Sequence, residues 1–131
     1  MPVLTSEGRE WIIDKLQGVA PLASSGNGGA LMSVIWWGTG VTAEAVGNTF
    51  ASVTEAAEAR VVGTLSQPTA TTDRCVGTIT ATANKNITES GRTNTTTKGD
   101  AGQRLLMRAL FTAVPVEIGD AIQFTHDYIQ G

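Results

Sequence analysis

The chain has one cysteine, one histidine and few aromatic or charged side chains, and each scarcity removes a class of function. A lone Cys75 excludes an intrachain disulfide framework and any zinc site built from several cysteines. His126, the only histidine, leaves no imidazole pair for a metal and only one candidate partner for a nucleophile. Nine Lys and Arg against 12 Asp and Glu give a net charge of −3, which argues against a general nucleic-acid binder, because that function needs a basic face to displace counterions. No apolar run reaches the ~18 residues of a membrane span, and no basic stretch followed by an apolar one opens the chain. The expectation is synthesis in a cytoplasm with no membrane partner, no nucleic acid, no cofactor and no cleaved signal.

Charged residues amount to only 16%, so Thr, Gly, Ser and Asn supply the polarity, as they do in many β-rich extracellular or virion proteins. The length of 131 residues fits a single domain able to fold without covalent staples. Aromatics are 5%, so the core must rest on Val, Ile, Leu, Ala and the three tryptophans.

The stretch 105–129 organises the rest. Leu105, Met107, Ala109 and Phe111 alternate with Leu106, Arg108, Leu110 and Thr112, and Ile122, Phe124, His126 and Tyr128 alternate with Gln123, Thr125, Asp127 and Ile129. A period of two is that of a pleated strand, and apolar residues on both faces of the first run predict a central one. Ala113 to Val116 reads as a short edge strand at Pro115, and Gly119-Asp120 as a tight turn closing a hairpin. Further back, 30–37 (ALMSVIWW) is a second buried strand. Residues 58–66 and 73–83 are antiparallel neighbours with one wetter face, joined at Gln67-Pro68. Residues 87–92 make a short strand, and 41–57 and 93–103 are mostly loop. Thr5 or Ser6 caps one helix, with Leu4, Trp11, Ile12, Leu16 and Val19 near helical spacing and Gly18 at its end.

The pattern predicts a mainly β protein, an antiparallel β-sandwich or jelly-roll-like domain with one N-terminal α-helix. Residues 1–30 form the helix and a flexible arm, and 31–131 the β-domain.

No catalytic or metal site is predicted. Gly38-Thr39-Gly40-Val41-Thr42-Ala43 fits a dinucleotide fingerprint in letters, but no helix or βαβ unit follows, so it reads as a turn. Cys75 and His126 read as buried or interface residues. Glu89, Arg92, Asp100 and Arg104 read as a solvated charge set, and Lys98-Gly99-Asp100 as a chance likeness to an integrin-type tripeptide. Arg108 differs, because burial in its apolar strand demands a carboxylate or a subunit contact. In Trp36-Trp37 the rings should face opposite sides of the strand; an exposed one would be an interface anchor or sugar platform, and core or subunit interface is the favoured reading. The interface candidates are Trp11, Trp36, Trp37, Arg108 and Tyr128.

The order of LTSEGREWIIDKL, WWGTG, EARVVGT, ITESGRT and RLLMRALFTAVPVEIGDAIQFTHDY, covering most of the chain, resembles a group of small tailed-bacteriophage virion structural proteins. The resemblance implies a non-enzymatic virion component on the capsid surface. Such a head decoration (cement) protein binds the major capsid protein as a homo-oligomer, most often a trimer. A tail, baseplate or fibre-associated protein is the alternative, followed by a carbohydrate-binding module. The part before about Leu31 is then expected to reach the capsid or a neighbouring copy.

Overall fold

A computed structural model describes residues 3–9, 12 and 31–130. These form eight strands: β1 (Val3–Leu4), β2 (Val34–Gly38), β3 (Val61–Val62), β4 (Thr64–Thr69), β5 (Thr72–Thr80), β6 (Lys85–Thr93), β7 (Leu105–Val116) and β8 (Ala121–Ile129). One antiparallel sheet has the order β1-β7-β6-β2-β3 and the other β4-β5-β8. Ile35, Trp37, Ile87 and Val116 from the first share a core with Cys75, Ile79 and Phe124 from the second. The chain is thus mainly β, a sandwich of antiparallel sheets with a short N-terminal helix. That helix covers 6–9, with Ile12 also helical, and Thr5 caps it by accepting from the Gly8 amide at 3.1 Å. The expected helical positions Trp11, Leu16, Gly18 and Val19 lie outside the described residues.

The N-terminal segment is not free as far as it is described. Val3 and Leu4 pair with Arg108 and Met107 on β7, Thr5 is fully buried, and its amide donates to the Leu106 carbonyl at 3.0 Å. Residues 3–9 therefore belong to the domain and not to a reaching arm.

Two connections differ from the sequence expectation for one reason: strands that are neighbours in sequence cross between sheets. β7 runs unbroken through Pro115, which sits opposite Asn86 near the end of its pairing with β6, so no separate edge strand forms. β8 then joins the other sheet, so 105–129 is an arch over the core and not a hairpin. Its turn is as expected: Gly119 has φ +92, and the Asp120 carboxylate accepts from the Glu117 amide at 2.8 Å. Likewise the run 58–66 divides at Gly63, with β3 in the first sheet and β4 in the second. A Cβ at Gly63 would lie 2.5 Å from Cys75 Sγ, so the crossing needs a residue without a side chain. Gln67-Pro68 stays within β4 as an irregularity, and the chain reverses at Ala70-Thr71.

The largest difference concerns β6. Expected as a short strand, it is nine residues long, lies between β2 and β7, and is buried from Ile87 to its end. Its polar letters concealed it. The inner side of its sheet faces β5 and β8. The outer side is covered by the loop 39–60, held by Thr39 N to Thr54 O at 2.9 Å and Ala56 N to Trp37 O at 3.0 Å. A three-residue 3-10 turn, Phe50–Ser52, capped by Thr49, places Phe50 edge-on to Trp36 with ring centroids 5.6 Å apart.

Gly91, opposite both Trp36 and Arg108, is the tightest point of this packing. A Cβ there would lie 2.2 Å from the Met107 carbonyl oxygen and 2.9 Å from the Trp36 ring. Gly91→Ala is expected to destabilise by roughly 2–3 kcal/mol, the upper range for overpacking. Gly47→Ala, which meets nothing within 4 Å, should change stability by less than about 0.5 kcal/mol. Urea unfolding of the two variants checks the contrast, and equal midpoints would contradict the packing.

Candidate functional site

The register of the five-stranded sheet sorts its polar side chains by face. Trp36, Gly91 and Arg108 stand in one row, and Ile35, Arg92 and Met107 in the next, so Arg108 points outward under the 39–60 loop and Arg92 inward.

Under the loop, Glu89 and Arg108 are fully buried and paired, with Nε and Nη2 of Arg108 at 2.8 and 2.7 Å from the same Glu89 oxygen, Oε2. The other oxygen, Oε1, accepts from the amides of Gly40 at 2.9 Å and Thr54 at 2.8 Å. Arg108 Nη1 donates to Asn48 Oδ1 at 3.1 Å. Gly38 and Gly40 leave the space: a Cβ on either would fall 2.6 or 2.5 Å from Glu89 Oε1. The Gly-x-Gly that mimics a dinucleotide fingerprint is therefore a cradle for an internal carboxylate, and 41–45 is not helical.

Between the sheets, Arg92 donates to Met32 O at 3.0 Å and to the Asp73 carboxylate at 2.8 Å, tying β6 to β5. Ser90 Oγ lies 2.7 Å from Trp36 O and 2.9 Å from His126 Nε2, tying β6 to β8. At one end of the sandwich Glu58 accepts from Trp37 Nε1 at 3.1 Å, from the Thr82 amide at 3.0 Å and from Lys85. Burial pushes the Glu58 pKa up, but Lys85 and these donors outweigh it and hold it at about 2, against an ordinary 4.5. Arg60 forms a double hydrogen bond with Glu55 at 2.8 and 2.9 Å, reaches Thr95 O at 3.0 Å, and stacks 4.2 Å over Phe50.

These groups are engaged in holding the fold, which decides what chemistry they can do. A carbonyl only accepts, so Ser90 donates to Trp36 O and accepts from His126, which must carry its proton on Nε2. An imidazole donating to a serine is not activating it as a nucleophile. Burial raises the Cys75 thiol pKa, keeping it protonated. Among the described residues, no group of three or more His, Cys, Asp and Glu side chains is placed to hold a metal ion. No described helix is long and apolar enough to cross a membrane.

The sequence-predicted interface residues are mostly internal. Trp37 is in the core, and Trp36, on the opposite face as the alternation requires, is also fully buried because the 39–60 loop covers it. The two rings therefore face opposite sides of the sheet as expected and both are core, so neither is exposed to act as a sugar platform. Arg108 has the carboxylate partner that its position demanded. Tyr128 is half-buried against Met32, Leu106 and Met107, and Trp11 lies outside the described residues. The expected solvated set is corrected, since Glu89 and Arg92 are buried. Lys98 donates to Ala56 O at 2.6 Å and Glu58 O at 2.7 Å, and Asp100 accepts from the Gly102 amide, so the Lys-Gly-Asp tripeptide ties its loop to the 39–60 loop and closes its own turn.

By contrast, the outer face of β4-β5-β8 is covered by no described residue. It presents Thr64, Ser66, Val76, Thr78, Gln123 and Thr125, with one ion pair, Arg74–Asp127 at 2.8 Å, that neutralises itself and holds Asp127 below the usual carboxylate pKa. The Val62, Thr64, Ser66, Val76, Gly77, Thr78 and Gln123 side of it forms a shallow groove. No protein-family model, curated protein or solved structure matches the chain.

Glu89→Gln keeps an oxygen for the Gly40 and Thr54 amides but leaves Arg108 buried without a counter-charge. It should destabilise by about 3–5 kcal/mol. The double variant Glu89→Gln/Arg108→Met should recover much of that loss. Denaturant midpoints of wild type, single and double variants measure the coupling; a single-variant loss under about 1 kcal/mol, the range of a surface pair, would mean the charge pairing carries little.

Proposed function

We propose that this protein is a non-enzymatic virion component of a tailed bacteriophage, a head decoration protein that binds the outer capsid as an oligomer. The observation that carries this reading is the division of polar groups. The buried ionisable side chains serve the internal frame, while among the described residues the outer face of β4-β5-β8 is left open, hydroxyl-rich and nearly uncharged. Depletion of charge is a mark of interface cores. A small rigid domain with such a face suits binding at many equivalent positions, where contacts to several subunits raise the effective affinity of each copy. The resemblance of the order of sequence segments to small phage virion proteins supports the same reading. Sugar binding is disfavoured by the burial of Trp36 and Trp37 and by the absence of an aromatic ring from that face among the described residues.

Mass spectrometry of heads and tails separated on a density gradient is the direct test. Abundance in heads comparable to that of the major capsid protein is the expected result. Confinement to tails at low copy number, or absence from both fractions, overturns the decoration reading.

A further inference from the structure

His126 is the only histidine, and it stands at the seam between the two sheets. From β8 its Nε2 reaches Ser90 of β6 at 2.9 Å, its ring stacks on Phe124 with centroids 5.9 Å and planes 6° apart, and directly across the ladder lies Cys75 of β5. Only 5% of the residue is exposed. The groups facing it from each packed element can be named. β6 contributes the Arg92 guanidinium, whose Nη1 approaches the His126 carbonyl oxygen at 3.5 Å. β5 contributes the Cys75 thiol and Asp73, whose carboxylate is already paired with Arg92. On β8 itself, Tyr128 shares the inner face two residues on, and Asp127 turns to the outer face and pairs with Arg74. β2 has no titratable residue, and Arg108 of β7 points to the opposite side of its sheet.

This arrangement suits a neutral imidazole and not an imidazolium. Nε2 already bears a proton, so acid adds one at Nδ1, placing a positive charge in a nearly dry seam beside Arg92 with no uncommitted carboxylate among the described groups facing it. We propose that His126 is an acid-sensitive latch: the Nε2–H bond to Ser90 survives protonation, but the charge added at Nδ1, buried beside Arg92 without a counter-charge, loosens β5 and β8 from the larger sheet. This does not depend on the virion reading.

Burial first, and then Arg92, lower the His126 pKa from 6.5 to about 4, against the weaker opposing pull of Asp127. The folded pKa is depressed, so the unfolded chain binds the proton more readily. The stabilisation is therefore full above pH 6.5 and is lost as pH falls from 6.5 towards 4, where the loss levels off. A gap of 6.5 − 4 = 2.5 units corresponds to roughly a 300-fold fall in the folding constant. Glu58, lowered from 4.5 to about 2, acts in a separate and more acid window.

Two measurements on the full chain test the latch. NMR titration of the His126 ring in the native protein should give a pKa well below 6.5, with β8 amide protection factors falling as the ring protonates. Urea unfolding between pH 7 and 4 should show a stability loss that His126→Gln removes. An ordinary ring pKa near 6.5, or an equal acid loss in wild type and His126→Gln, would overturn the proposal. If the variant does not fold, the ring titration and the exchange on wild type decide alone.

Discussion

A polar strand placed where water cannot reach it is the constraint on which this structure depends. β6 carries Thr88, Glu89, Ser90, Arg92 and Thr93 through the middle of the larger sheet, with all five side chains buried. A buried charge without a partner costs several kcal/mol, so each of these groups dictates part of its surroundings. Glu89 requires Arg108 on the next strand, two amides from the covering loop, and glycine at 38 and 40. Arg92 requires Asp73 across the sandwich, and Ser90 requires a histidine that can donate. The 39–60 loop has little regular structure, yet it is fixed in place because it completes the solvation that Glu89 and Arg108 lost on burial.

The surface has a different character. Glu55, Glu58, Arg60, Lys85, Glu89, Arg92 and Arg108 are committed to internal pairs. The outer face of β4-β5-β8 carries only the Arg74–Asp127 pair among the described residues. Its threonines favour the extended backbone through branching at Cβ while keeping a hydroxyl for water, so the sheet can stay wet without charge.

How far the sequence revealed this depends on whether a residue's partner is close in sequence or only in space. The β7 and β8 runs, the Gly119-Asp120 turn, the Thr5 cap and the β4–β5 pairing were legible because period and turn chemistry are local. The crossings at Gly63 and at 117–120 were not, since nothing in an alternating pattern says which sheet the next strand joins. β6 was misread as a short strand because TESGR looks like surface. The available signal was Arg108: a charge in the most apolar strand implies a buried carboxylate, and Glu89 lies in a segment that follows the buried Ile87. Trp36 shows the complementary limit. Its face followed from alternation, but its burial came from a loop whose position alternation does not contain.

These polar groups also specify the pairing that the apolar pattern leaves open. β7 begins apolar on both faces, so a slip of one residue against β6 would cost it little hydrophobic burial there. The charges do not tolerate such a slip. Moving β6 by one residue relative to β7 and β2 would turn Glu89 to the inner face, away from Arg108, and Arg92 to the outer face, away from Asp73. Glu89, Arg108 and Arg92 would then lose their partners in places where water cannot replace them. The ion pairs therefore select the register even though, compared with apolar residues of the same shape, they need not add to stability. That accounts for charged residues at the centre of a small sandwich without assigning them any catalytic work.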